Sequence, residues 1–368
     1  MIHGRPKTIG GYRAILRSTS HGSHPGRNVD PMIASDFHQP ERRNFPGIVR
    51  FGAHIPLVGL GVPLAKTLEL AGVWPRVMFK ALRRDTLDSC FAGYTPTAHD
   101  VFACVGFKSG TTWLLQIAVQ IAYLGQAEFD NIHSVVAWPD AAARFRKRII
   151  PLADDSPVRR APTGLRIVKT HLEQRLVPHS PHARYLVMVR DPKDVIVSGY
   201  HFVRSLLLGP LMPSVRHWVE LNLAGNLPSG SWASHLASYW RVRNEPNVLF
   251  LTYEDLSADP AGVIGQIARF MNVDRDAGQL EAVTRAASFG EMRRLKEKFD
   301  PGRVVPWGKA CSMLRNGRCG DAGELLSPEL RQLIDEHSRT ELRRLECDFP
   351  YDLAYVKRQS ILPVCGGH

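Results

Sequence analysis

The stretch His99-Asp100-Val101-Phe102-Ala103-Cys104-Val105-Gly106-Phe107, then Lys108-Ser109-Gly110-Thr111-Thr112, then Trp113 to Leu124 (WLLQIAVQIAYL), decides how the rest of the chain is read. The first piece is a short apolar run of strand character, the second a polar turn, the third an apolar run of helical length. Strand, turn and helix in that order form a phosphate cradle. Backbone N–H groups of the turn and of the helix N-terminus converge on one spot, and the helix dipole favours an anion there. Gly110 lets the backbone approach closely, Lys108 supplies a movable positive charge, and the hydroxyls of Thr111 and Thr112 add donors. The Walker pattern does not fit, because Lys108 precedes the glycine and the first glycine is missing, which disfavours a nucleotide kinase or GTPase. The bland alternative is a capped turn that binds nothing, since Ser and Thr are ordinary N-caps.

Outward from this stretch the strand signature recurs at Leu165 to Val168, Arg184 to Val189 (RYLVMV) and Val248 to Thr252 (VLFLT). Helical patterns separate these runs, notably Pro260 to Met271 and Pro328 to Leu345, and no hairpin turn joins them. The expectation is an α/β fold with a central parallel sheet flanked by helices and a P-loop-like strand–loop–helix unit. Ligands of such sheets bind at the carboxyl ends of the strands, so the polar residues after each strand are the ones to inspect. Residues 1–45, rich in Gly, Ser, His, Pro and Arg, read as a flexible basic arm. Residues 46–95 read as a helical N-terminal region packing on the core, interrupted at Pro75, and 96–368 as the main domain.

Composition sets the class. The chain has 368 residues, 44% of them hydrophobic and 22% charged, as in globular proteins. Lys and Arg number 47 against 35 Asp and Glu, a formal charge of +12, which attracts polyanions such as nucleic acid, an anionic membrane or a multiply phosphorylated small ligand. The six cysteines form no C-x-x-C pair and are read as reduced thiols, with no zinc spacing among them. The N-terminus has no apolar h-region, and the most apolar window, Ile55 to Trp74, carries Lys66 and Glu69, so neither a secretory signal nor a spanning helix of about 20 residues is expected. A cytoplasmic protein follows as the expectation.

The turn Phe107-Lys108-Ser109-Gly110-Thr111-Thr112-Trp113 resembles the [Y/F]-P-K-S-G-T-T-W loop of the cytosolic-type PAPS-dependent sulfotransferases, with Phe107 in place of the proline. Three further segments follow in the family's order. Lys169-Thr170-His171-Leu172 is similar to its K-x-H-L segment. Arg190-Asp191-Pro192-Lys193-Asp194, running on to Ser198, is similar to its R-x-P-x-D-x-x-x-S segment. Leu314 to Asp321 (LRNGRCGD) resembles its late R-K-G-x-x-G-D-W loop. The resemblance runs from about residue 96 to 349 and includes Tyr253-Glu254-Asp255. Asn316 stands where the family has Lys and Ala322 where it has Trp, and the stretch after Asp321 departs from the family's C-terminal dimer segment, leaving the oligomeric state open.

The resemblance implies PAPS as donor, PAP as product and no metal. It implies that Lys108, Ser109, Gly110, Thr111, Thr112 and Trp113 cradle the 5′-phosphosulfate, and that Arg190 and Ser198 take the 3′-phosphate. Arg315, Asn316 and Gly317 would close over the same phosphate. Trp113 and Phe289 would stack on the adenine and Tyr253 would meet its edge. His171 would be the base, with Lys108 and Lys169 supplying charge to the leaving phosphate. Arginine suits a bidentate phosphate grip. Against this, Arg190 and Asp194 could pair as an exposed turn interaction worth about 0–1 kcal/mol. Asp191 and Asp194 read as residues that shape the turn or cap its helix. The remaining histidines, His201 and His235 among them, sit in no motif and read as structural or solvent-facing. The acceptor side is weakly written. A small or lipid-like alcohol or phenol is expected, with Ser205 to Val215 (SLLLGPLMPSV) as either a lid or buried packing. A basic nucleic-acid-binding protein would need docking motifs that are absent, and an inactive family member is the remaining alternative.

Overall fold

The computed structural model describes residues 47–71, 73, 89–141, 149–225, 230–301, 305, 313–315, 317 and 319–357. The expected arm at 1–45, residues 74–88, Asn316 and Arg318 lie outside the described residues. Two helices open the described chain, α1 (Gly47–Pro56) and α2 (Val62–Leu70), joined by a π-helical turn. After β1 (Asp100–Val105) come α3 (Thr111–Ala122), β2 (Val136–Ala137), α4 (Ser156–Arg160), β3 (Arg166–Thr170), β4 (Arg184–Val189) and α5 (Pro192–Val203). Next are α6 (Val215–Leu223), α7 (Trp232–Trp240), β5 (Val248–Thr252), α8 (Tyr253–Ala258), α9 (Pro260–Phe270), α10 (Ala277–Ala286), α11 (Phe289–Arg294) and α12 (Pro328–Arg344).

The five strands form one sheet in the order β2-β3-β1-β4-β5, and every pairing is parallel. Helices cover both faces, so the strands read as continuous apolar runs rather than alternating ones. Central β1 is the extreme case, with Val101 to Val105 fully buried. Its alternate residues serve two cores. Val101, Ala103 and Val105 pack with α3, α8 and α9, whereas Phe102 and Cys104 pack with Tyr185 and with Tyr239 of α7. Burial of Cys104 pushes its thiol up to about 12, and Cys90, Cys104, Cys319 and Cys347 are free thiols.

The parallel sheet matches the expectation, with adjustments at element ends. β1 stops at Val105 because Gly106 already belongs to the turn, and β3 runs on to Thr170 rather than stopping at Val168. The two-residue β2 is too short to leave a sequence pattern. α3 begins at Thr111 and ends at Ala122, before Leu124 and Gly125 take left-handed conformations. Among the described residues no helix is long and apolar enough to cross a membrane.

Candidate active site

β1, β3 and β4 lie side by side in the middle of the sheet, so the residues leaving their carboxyl ends meet at one edge. From β1 the chain turns tightly, Ser109 N donating to Gly106 O at 3.0 Å. Lys108 sits at φ 60°, a left-handed conformation uncommon for a residue with a side chain and a recurrent mark of functional turns. Gly110, at φ 95°, caps α3. A Cβ there would lie 2.6 Å from Tyr253 Cδ2 and 3.1 Å from Met188 Sδ, so only glycine fits. Trp113 N and Leu114 N donate to Gly110 O at 3.0 and 3.1 Å, which leaves the amides of Thr111 and Thr112 ahead of the first intrahelical bonds. Ser109 and Thr111 are buried beneath the turn, while Thr112 and Trp113 are half-buried at its mouth.

From β3 come Lys169 and His171. His171 Nδ1 lies 2.7 Å from Val105 O, and a carbonyl only accepts, so Nδ1 carries the proton and Nε2 is left as the acceptor nitrogen. Its backbone N donates to Asp140 Oδ2 at 3.0 Å, and the rings of Phe107 and Trp138 stand edge-on to it at 6.5 and 5.6 Å. Lys169, 3% exposed, places its ammonium 3.2 Å from the centre of the Trp138 ring, a cation–π contact in a buried setting. Lys108 rests its ammonium 4.3 Å from the Phe202 ring centre.

From β4 comes Arg190, 8% exposed, whose Nη2 donates to Asp194 Oδ2 at 3.2 Å. The exposed pairing expected of these two residues is corrected: both are buried, because α12 and the loop before it cover the start of α5. Burial opposes the guanidinium charge, and the Asp194 carboxylate and its neighbours outweigh that, so Arg190 is held charged. Asp194 Oδ2 also accepts from Gly320 N at 2.9 Å, tying the late loop to the β4 end. Asp191 caps α5 by accepting from Lys193 N at 2.9 Å. Ser198 lies one turn beyond Asp194 on the same helix and is half-buried.

The aromatic residues gather beside this edge. The Tyr253 ring lies under the Arg190 guanidinium at 4.3 Å and edge-on to Trp113 at 5.5 Å. Trp113 Nε1 donates to Ala287 O at 2.8 Å, just ahead of Phe289 on α11. Gly317, at φ 65°, approaches Phe289 so closely that a Cβ would fall 2.4 Å from its Cδ2. Arg315 is engaged with Asp321 Oδ2 at 2.8 Å and with Glu324, so in this structure its guanidinium serves its own loop. Ala322, 3% exposed, packs with Ile196 and Ile334, where a tryptophan side chain has no room without repacking. In the Ser205 to Val215 stretch Leu206 and Met212 are buried, Met212 packing among the residues of α5 and α6.

The sheet edge thus joins Lys108 to Trp113, Lys169, His171, Arg190, Ser198 and Tyr253, with Phe289 and Gly317 alongside. Sequence reasoning missed Trp138 and Asp140, which orient Lys169 and His171; they fall in a short irregular segment after β2 with no periodic signal. His235, read as structural or solvent-facing, is buried against the phosphate loop, a Cβ on Gly106 coming 3.6 Å from its Nδ1.

A profile of the sulfotransferase domain matches residues 99–346. Sulfotransferase 1C2 of Oryctolagus cuniculus is 28% identical over 269 residues, covering 69% of this chain and 86% of its own. Sulfotransferase 4A1 of Mus musculus is 30% identical over 262 residues, covering 69% and 83%. The fold is similar to that of retinol dehydratase in a complex with retinol and PAP, at a TM-score of 0.59 and 21% identity over 73% of this chain and 88% of that one. It is also similar to a mouse sulfotransferase complexed with PAP, at a TM-score of 0.53 and 22% identity over 72% and 94%. With two thirds of its length matched by the domain profile and its motifs gathered at one sheet edge, the chain belongs to the PAPS-dependent sulfotransferases.

Proposed function

We propose that the chain moves a sulfuryl group from PAPS to the hydroxyl of a small or lipid-like alcohol or phenol, with His171 as general base. The observation that carries this reading is the fixed tautomer of His171, with Nδ1 committed to Val105 O and Nε2 the nitrogen able to take a proton, beside a phosphate cradle. The donor brings a sulfate and two phosphates, and the donors at this edge fit that load. The amides of Thr111 and Thr112, with the Lys108 ammonium, face the 5′-phosphosulfate, and the charged, buried Arg190 with Ser198 takes the 3′-phosphate. Gly110, with no Cβ, lets the Tyr253 ring pack directly against the turn that carries these amides. Trp113 and Phe289 flank the adenine and Tyr253 meets its edge. Gly317 closes the loop over the nucleotide, with Asn316 beside it, and Arg315 joins once it exchanges its carboxylate partners.

In the reaction the acceptor hydroxyl attacks sulfur in line with the leaving phosphate oxygen, and its proton passes to His171 Nε2. Negative charge builds on the leaving phosphate, and Lys108 and Lys169 supply the positive charge that meets it. A preorganised charge at such a position lowers a barrier by several kcal/mol, and a positioned base contributes roughly 10²–10⁴-fold. PAP remains in the cradle as product. The test is transfer of labelled sulfate from PAPS to a panel of alcohols and phenols, alongside titration with PAP. His171→Ala is expected to lose about 10²–10⁴-fold in turnover while binding PAP like the parent. Wild-type transfer by that variant removes His171 as the base.

A further inference from the structure

The described N-terminal helices carry an apolar surface that the body of the fold does not cover. Among the described residues nine large hydrophobic side chains stand exposed, and seven of them fall between Val49 and Val73. Ile55 is 58% exposed, Leu60 76%, Leu64 60% and Leu70 91%. The same segment meets the body through other residues. Ala65 and Glu69 of α2 are buried, Gly61 lies against Leu211, and Glu69 accepts from Ser214 N and His217 Nδ1. The helices are thus fixed on one side while their leucines face outward. Folded chains rarely leave so many apolar side chains together in water without a partner for them.

Charge identifies the partner. From Arg42 to Arg84 the sequence carries six arginines and two lysines against a single acid, Glu69, a net of +7 out of the chain's +12. That one acid is buried against the body, so it presents no carboxylate to anything arriving from outside. A second copy of the chain would bring the same positive charge to the contact and be repelled. An anionic bilayer offers both things the segment calls for, an apolar layer for the leucines and a plane of negative headgroups for the arginines and lysines.

We propose that residues 47–71 dock this protein on an anionic membrane surface, with Leu60 and Leu64, one turn apart, inserted at the edge of the acyl chains and the flanking basic residues on the headgroups. The segment lies on the bilayer and does not cross it, because Glu69 ties it to the body and the π-helical turn Leu57–Gly61, between Pro56 and Pro63, interrupts it. Docking in this way brings the Ser205 to Val215 stretch, which these helices touch at Leu211 and Ser214, next to the lipid. The inference is independent of sulfuryl transfer and stands or falls on binding alone.

The test is cosedimentation of the full chain with vesicles of phosphatidylcholine alone and of phosphatidylcholine mixed equally with phosphatidylserine. The mixed vesicles are expected to bind the protein about tenfold or more tightly than the neutral ones, and added salt to weaken that binding. The double variant Leu60→Ser, Leu64→Ser changes side chains already in water. Its melting temperature and PAP affinity are expected to stay those of the parent, while binding to mixed vesicles falls about tenfold or more. Equal binding to both vesicles, binding to neither, or wild-type binding by the double variant overturns the proposal. If the variant melts early, the comparison of the two vesicles decides, since it needs no variant. A dimer in light scattering that the leucine changes dissociate gives the face to a second copy and also overturns it.

Discussion

Single residues set the phosphate cradle, and Gly110 is the most constrained of them. Its left-handed backbone and the 2.6 Å approach of Tyr253 act together, so Gly110→Ala must both strain the turn and push the Tyr253 ring off Arg190. Such a variant is expected to bind PAP at least tenfold more weakly, read by calorimetric titration, while its far-ultraviolet circular dichroism stays that of the parent. Unchanged affinity would mean that the turn can open without cost. Part of this was legible in the chain: Lys108 and Gly110 stand in a turn whose anion-binding chemistry follows from residue type and order, while His171 and Arg190 were marked by the resemblance to the family. The environment of Arg190 was not legible. A pair four residues apart looks like a solvated turn until the α12 side of the fold covers it, and covering changes an interaction worth next to nothing into a buried charge network. Trp138 and Asp140 were missed for the same reason, since their neighbours come from strands and loops far away in the chain.

At the scale of elements, the described N-terminal helices hang on one carboxylate. Glu69 of α2 accepts from Ser214 N at 2.5 Å, from His217 Nδ1 at 2.9 Å and from Lys66 at 2.7 Å, while Gly61 abuts Leu211. Burial works against its charge, but these donors prevail and bring its pKa down to about 2. The fold therefore gains from ionised Glu69 above pH 4.5, and that gain fades as pH falls toward 2. Glu69→Ala removes a buried acceptor shared by three donors, which water can then reach, and is expected to cost about 0.5–1.5 kcal/mol. It should make residues 47–71 more susceptible to limited proteolysis while PAP affinity stays unchanged. Equal cleavage rates in the two proteins would show that other contacts hold α2. The attachment of this region was not readable, because a lone acidic residue on a helix ordinarily faces water.

Across the whole molecule, buried titratable groups give stability two opposing slopes with pH. His235 is driven down to about 4 by burial, so between about 6.5 and 4 the unfolded chain binds a proton that the fold refuses, and stability drops as pH falls through that window. Glu254 and Asp191 are pushed up to about 7, also by burial, and here the fold keeps protons that the unfolded chain releases. Stability from that source declines as pH rises from about 4 to 7. Glu254→Gln removes one of these groups yet keeps an acceptor for Asp191 N, which donates to Glu254 at 3.0 Å. Its melting temperature relative to the parent is expected to rise between pH 5 and about pH 7 and then level off, and a constant difference across pH 5 to 7 would exclude the assignment. The sheet itself was readable at this scale, because strands buried on both faces are continuous apolar runs whatever their order. The order was not, since it depends on crossovers that no local pattern encodes.

That strand order bears on how the chain is made. β1 pairs with β3, Asp100 opposite Arg166, and with β4, Val101 opposite Arg184, so neither partner exists when β1 leaves the ribosome. The strand must wait for roughly 60 to 90 further residues, several seconds at ordinary synthesis rates of about 5–20 residues per second. Throughout that interval an apolar segment with open hydrogen-bonding edges is exposed to other nascent chains, and the helix that carries the phosphate cradle has no sheet to lean on. Nascent chains released before residue 189 should therefore be clients of chaperones, and those extending past it should begin to bury their own centre.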